Sequence, residues 1–171
     1  AVGTAAAIAT NRNILPRDIA KKHIVDLQQQ LLKDGCYLVG VKNADPKDIA
    51  LKATVSSPAI INGWNRESRG LPDGAKWSPS QPVSLEWTDE QAVSEVHLSM
   101  NHLRFSAHIV IEALTKNGWK NVTEKKLIDN KAINRRQVFT FPKTKIKTNK
   151  LRIRLLSSNR DLRLCEVRVY Q

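Results

Sequence analysis

Val83-Ser84-Leu85-Glu86-Trp87, followed after Val93 by Val96-His97-Leu98-Ser99-Met100, alternates apolar and polar side chains with a period of two. Successive strand side chains point to opposite faces of a sheet, so the pattern predicts two strands that each bury one face, with Asp89-Glu90 in a turn between them. The same period returns at Ala107, Ile109, Ile111 and Ala113, at Phe139 and Phe141, and at Leu151, Ile153 and Leu155, which leaves Arg152 and Arg154 outward. His97 and His108 are likewise expected on outward faces. In the last stretch the phase changes between Leu162, Leu164 and Cys165, Val167, Val169, which predicts a bulge near Leu164. Asn117-Gly118 reads as a hairpin turn with Trp119 opening the return strand. About seven or eight short antiparallel strands in ~120 residues imply a mainly β domain, a sandwich or jelly roll.

Towards the N-terminus the period becomes helical. Ala1 to Thr10 is a helix of small residues that Asn11 to Pro16 ends. A second helix opens at Pro16, carries Ala20, Ile24, Leu27 and Leu31 on one face, and is capped by Gly35. Helices this short are marginal alone and need a packing partner. Asp45-Pro46 is the expected N-cap and first residue of one short turn through Ala50. The expected organisation is a helical segment over 1–40, a linker with a short helical turn over 41–50, and a β-sandwich over 51–171. The start lacks Met and any intact signal-peptide pattern, so it is expected to be cut from something longer.

With 171 residues, 41% apolar and 26% charged, the chain is long enough for one substantial core and too apolar for a disordered segment. No apolar run reaches the ~20 residues of a membrane helix. Cys36 and Cys165 have no metal or redox spacing, and two buried thiols are expected. The net charge of +12 is uneven: residues 1–115 hold 12 basic and 12 acidic side chains, and residues 116–171 hold 16 against 4. That excess suits an acidic partner, or it keeps a strand-rich surface soluble and its edges unpaired.

The four histidines, His23, His97, His102 and His108, lack zinc-ligand spacing, and no nucleophile elbow or phosphate loop is present. Asp89-Glu90 reads as a solvated pair rather than a glycosidase pair. The segment is therefore expected to be non-catalytic. Nucleic acid would have to bind Lys143, Lys145, Lys147 and Lys150 beside Arg152 and Arg154, but aromatic residues are only 5% of the chain and none interleaves with that run. Without a stacking platform, nucleic-acid binding is not expected.

The segments Leu51–Ser57, Ile61-Asn62-Gly63, Lys76-Trp77-Ser78, Val83–Trp87, Val93–Leu98, Asn117–Val122, Leu151–Leu155 and Leu164–Tyr170, in that order, resemble the galactose-binding-like jelly-roll family that includes discoidin and coagulation-factor type C domains. The resemblance spans about residues 48–171 and implies a carbohydrate-binding module in a periplasmic or secreted setting. It also implies a calcium site in the early loop, but here Asn62-Gly63-Trp64-Asn65 replaces the aspartate, so no metal is expected despite nearby Asp73. Upstream, Ala1–Ala7, Leu15–Asp18 and Leu27–Gly35 resemble the C-terminal end of a bacterial FAD-dependent oxidoreductase family. That implies FAD in a parent chain, none in this segment, and no flavin copurifying with it. Related chains are also polysaccharide lyases of the xanthan type, so a lyase accessory domain is an alternative, as is a structural docking module without ligand.

Sugar binding implied by the resemblance needs an aromatic face and nearby donors on loops. Two stretches have these residue types: Trp64, Asn65, Arg66 and Arg69, and His102, Arg104 and Phe105. Trp64 is either a platform for the sugar or a side chain packed beneath its loop. Trp77, Trp87 and Trp119 are expected to be structural. The expected partners are carbohydrate, including acidic polysaccharide, and an upstream catalytic domain, with no membrane.

Overall fold

Alternation along β3 (Val83–Val93) and β4 (Glu95–Met100) sends Leu85 and Trp87, and Val96, Leu98 and Met100, into one buried cluster. The computed structural model describes residues 1–66, 74–130, 133–141 and 146–171. Its chain divides into two units, Ala1–Asp45 and Pro46–Gln171.

The second unit is a jelly-roll β-sandwich. Among the described residues, β1 (Thr54–Val55), β3, β8 (Ile146–Ser158), β5 (Ala107–Thr115) and β6 (Gly118–Leu127) form a five-stranded antiparallel sheet in that order. A four-stranded sheet runs β2 (Ala75–Trp77), β9 (Leu162–Tyr170), β4, β7 (Arg136–Thr140). From β3 to β5 and from β6 to β9 the chain changes sheet at each step, so each sheet is completed by strands distant in sequence. Ile109, Ile111, Leu151 and Ile153 from one sheet meet Phe139, Leu164, Val167 and Val169 from the other in the shared core. Truncating any such Leu or Ile to Ala costs about 2–5 kcal/mol.

Several expectations shift in detail. Ser99 pairs with Glu166 but Met100 with Leu164, so the extra residue of the bulge in β9 is Cys165. Asp89-Glu90 lies within β3, where the register with β8 slips between Glu86 and Gln91, and the chain passes from one sheet to the other at Ser94. The hairpin pairs Thr115 with Gly118, so Lys116-Asn117 forms the turn and Gly118, at φ 95°, takes the left-handed position after it. Cys165 is buried, whereas Cys36 is exposed, contrary to the expectation of two buried thiols.

The opening turn of the sandwich is a 3-10 helix, Ile49–Lys52, capped by Asp48 rather than Asp45. Asp48 Oδ1 accepts from Ala50 N at 3.0 Å and from Val169 N at 2.9 Å, so one buried carboxylate both starts the turn and occupies a free amide of β9. Trp87 Nε1 donates to the Ile49 carbonyl at 2.8 Å, tying the same turn to β3. Gly74, at φ 82°, leads into β2 so close to β9 that a Cβ there would lie 2.3 Å from the Leu164 carbonyl oxygen.

On β4 and most of β9 the second face of the four-stranded sheet is also buried, which overturns the expectation of an outward His97. His97 ring nitrogens meet Glu95 Oε1 and, at 3.2 Å, Arg136 Nη2, and its ring lies 5.0 Å from that of Tyr170. On β9, Glu166 Oε2 and Arg168 Nη2 pair at 2.9 Å, both nearly inaccessible. Burial pushes the Glu166 carboxyl above its ordinary range, with Arg168 opposing.

In the first unit, α1 (Val2–Arg12), α2 (Pro16–Lys22) and α3 (Ile24–Lys33) replace the expected two helices. His23, at φ −133°, interrupts the second, so of the expected face Leu31 is buried and Leu27 half-buried, whereas Ala20 and Ile24 are exposed and Ile19 and Leu32 are buried in their place. Arg12 Nη1 lies 2.6 Å from Asp26 Oδ2 and 2.6 Å from His23 Nδ1, holding the break beside the end of α1. Gly35, at φ 90°, closes α3, with Cys36 N donating to Leu31 O and Gly35 N to Leu32 O at 2.9 and 3.0 Å.

Candidate functional site

The strand registers bring three loops to one end of the sandwich. β4 and β9 pair Met100 with Leu164, β4 and β7 pair Ser99 with Arg136, and β5 pairs Ala107 with both Leu127 and Ser158. The β4–β5, β6–β7 and β8–β9 loops therefore leave the sheets together. Between them lies a depression of about 480 Å³, lined by Asn101–Arg104 of the first loop, Ile133 and Arg135 of the second, and Arg160 of the third. That volume is within the range of small-ligand sites, ~300–1,000 Å³.

Polar side chains, not apolar packing, hold these loops. Buried Asn134 donates from Nδ2 to Phe105 O at 2.8 Å and Ile128 O at 3.3 Å, while its backbone N donates to Leu103 O at 2.7 Å. Ser106 and Asn159 exchange two bonds, Ser106 N to Asn159 Oδ1 at 2.8 Å and Asn159 N to Ser106 O at 3.1 Å. Asn101 does the same with Arg163, through N to O at 3.1 Å and Arg163 N to Asn101 Oδ1 at 2.9 Å. Arg135 Nη2 donates to Asn101 O at 2.8 Å, fixing that guanidinium on the wall. A loop cluster cross-linked in this way keeps its donors in place before a ligand arrives, which lowers the entropic cost of binding.

Of the residues singled out in the sequence, His102 and Arg104 line the depression. Phe105 does not: its side chain is 0% exposed, part of the core under the loop, because position 105 already turns inward to start β5. Trp64, half-buried, and Asn65, buried, follow the second 3-10 turn, Pro58–Ile61, and with Arg66 do not line this depression. Trp64 N donates to Asn62 Oδ1 at 2.9 Å in a local turn. Arg69, and Asp73 of the early loop, lie outside the described residues. Sequence reasoning missed Arg135, Arg160, Leu103 and Ile133, which sit in loops with no periodicity to expose them. A signal was present in the asparagines Asn101, Asn134 and Asn159 that punctuate all three loops.

A second hollow of about 400 Å³ adjoins the same end, beside Ser106, His108 and Ser158. Two of its three serine hydroxyls are already engaged, since Ser106 Oγ accepts from Asp129 N and Ser158 Oγ donates to Arg160 O, both at 2.9 Å. Of the basic side chains on β8, Lys150, Arg152 and Arg154 are likewise paired, whereas exposed Lys147 is unpaired among the described residues. Arg152 Nε and Arg154 Nη1 approach the Glu112 carboxylate at 2.6 and 3.4 Å, the Arg152 guanidinium lies 4.3 Å over the Trp119 ring, and Lys150 pairs with Glu86 at 2.7 Å. Lys143 and Lys145 lie outside the described residues. Among the described residues no group of three or more His, Cys, Asp or Glu side chains is placed to hold a metal.

These loops close one end of a double sheet with the jelly-roll fold. Among solved structures the chain is similar to the family 32 carbohydrate-binding module of NanJ from C. perfringens in complex with galactose, with 17% identity, a TM-score of 0.53, and 73% of this chain covering 98% of that one. It is also similar to the GH31 module CBM32-2 bound to GalNAc, at 13% identity and TM-score 0.51 over 70% of this chain and 97% of that one. The CBM32 of AlyQ in complex with 4,5-unsaturated mannuronic acid matches at 13% identity and TM-score 0.51, over 70% and 93%. No protein-family model and no curated protein matches the chain.

Proposed function

We propose that Pro46–Gln171 is a non-catalytic carbohydrate-binding module whose sugar sits in the depression between the β4–β5, β6–β7 and β8–β9 loops. The observation that carries this is the convergence of Asn101, His102, Arg104, Arg135 and Arg160 from three cross-linked loops on one hollow. Hydroxyl-rich ligands need several donors and acceptors fixed at once, and these side chains supply them. The likeness to modules crystallised with galactose, GalNAc and an unsaturated mannuronic acid supports the class of ligand. Affinity should be weak, about 10⁻⁴ M, because each sugar hydroxyl exchanges a water hydrogen bond for a similar one. A glycan array followed by calorimetry of the 171-residue chain tests the reading. Binding that is lost in Arg104→Ala supports it, and no response to any glycan at millimolar concentration favours a docking module without ligand.

A secreted or periplasmic setting belongs to the same proposal and is supported by the sugar-module likeness. For residues 1–40, the proposal of an FAD-dependent oxidoreductase tail is supported by the sequence resemblance at Ala1–Ala7, Leu15–Asp18 and Leu27–Gly35. FAD titration followed by flavin fluorescence, on the natural gene product that contains this segment, tests it.

A further inference from the structure

Resting on the reading that the depression binds carbohydrate, we infer that its ligand is an acidic sugar, with a ring-borne oxyanion held by Arg104, Arg135 and Arg160. Each guanidinium comes from a different loop, so their meeting is a property of the assembled end and not of a basic run. No acidic side chain lines the hollow among the described residues. The Asp129 carboxylate stands with Oδ2 4.0 Å from Arg160 Nη2, beyond hydrogen-bond length. Arg104 has no ion-pair or hydrogen-bond partner among the described residues and is exposed. Arg104 and Arg160, so weakly compensated, raise the local potential in favour of an anion, and Arg135 adds its charge on the wall beside them. The arginines on β8 behave differently, because Arg152 and Arg154 share the close carboxylate of Glu112, which offsets half of their charge.

The apolar lining points the same way. It is aliphatic: Leu103 is 54% and Ile133 68% exposed, and no aromatic ring lines the hollow among the described residues. A neutral pyranose gains much of its affinity from a ring face laid on an aromatic surface, and Phe105, the aromatic nearest in sequence, is wholly buried. Two aliphatic side chains give the sugar ring contact area but no quadrupole, so the remaining specific attraction is between guanidinium forks and an oxyanion. A planar carboxylate, as on a uronate, accepts two parallel N–H donors from one such fork, and a sulfate ester presents the same oxygen chemistry.

Calorimetry of the 171-residue chain with an oligomannuronate, a sulfated galactan oligosaccharide, neutral galactose and single-stranded DNA tests the inference. The expected result is at least tenfold tighter binding of an acidic oligosaccharide than of galactose. Raising NaCl should weaken it, and Arg104→Ala and Arg160→Ala should each lose about tenfold with unchanged thermal midpoints. The two acidic arms distinguish carboxylate from sulfate. Galactose binding as tight as the acidic ligands and indifferent to both variants overturns the inference while leaving the carbohydrate reading intact. Failure of all three glycans overturns both, and DNA binding that matches the acidic glycans overturns the inference by revealing attraction to any polyanion.

Discussion

The side-chain amide of Asn134, on the β6–β7 loop, donates to the backbone carbonyl of Phe105, on the β4–β5 loop, at 2.8 Å and out of reach of solvent. One loop thereby satisfies a buried carbonyl of the other, and the two cannot separate without leaving both groups unpaired. Asn134→Ala is expected to lower stability by about 1–3 kcal/mol, the usual cost of an orphaned buried polar group. It should also weaken glycan binding, although Asn134 does not line the depression. Thermal unfolding and calorimetry on the same variant check both, and a variant stable as the parent would remove the staple from the account.

Gly74→Ala should be among the most damaging single-methyl changes in the sandwich. The added Cβ meets the backbone of Leu164 and Cys165, which cannot move without breaking β2 from β9, and φ of 82° is itself unfavourable for alanine. A loss of roughly 1–3 kcal/mol or more is expected. Gly118→Ala is the comparison: the space around it is open, so only the left-handed backbone opposes the change and the loss in urea midpoint should be smaller.

The buried pair Glu166–Arg168 should respond asymmetrically to single and paired substitution. Arg168→Met alone leaves Glu166 without its cation and is expected to cost about 3–5 kcal/mol, while Glu166→Leu with Arg168→Met together should recover most of it. A double-mutant cycle in urea measures the coupling, and additive losses would show that the pair contributes no coupling.

In the helical unit, the Arg12 guanidinium holds the Asp26 carboxyl below its ordinary value of 3.8. A carboxyl depressed on folding contributes stability that is present above the unfolded value and is lost as pH falls through the folded one. Both side chains are half exposed, so the contribution should not exceed about 0.2–1 kcal/mol. Far-ultraviolet circular dichroism from about pH 5 to pH 2 should show helix loss that Asp26→Asn flattens.

Trp64→Ala is expected to leave glycan affinity within about twofold, because Trp64 does not line the three-loop depression and most of its surface is already packed. A tenfold loss in calorimetry would relocate the site to the 62–66 loop.

Strand content and the inward faces of Leu85, Ile109 and Ile153 were legible in the sequence because period-two alternation is local and each strand records it, whereas the jelly roll followed from the resemblance of the ordered segments to a known family. The turn at Asn117-Gly118 and a bulge in β9 were legible for the same reason, to within a residue. His102 and Arg104 were visible as donors on a loop between two strands. What could not be read is which other side chains would stand beside them. Arg135 and Arg160 reach His102 and Arg104 only through bonds between residues 29 to 62 positions apart, and no local pattern encodes such meetings. Tertiary structure likewise assigned Phe105 to the core, buried His97 on a face that alternation marks as outward, and chose Asp48 over Asp45 as the cap because Asp48 alone also meets Val169. Periodicity tells a side chain which way to point, whereas only the packed chain decides what lies there.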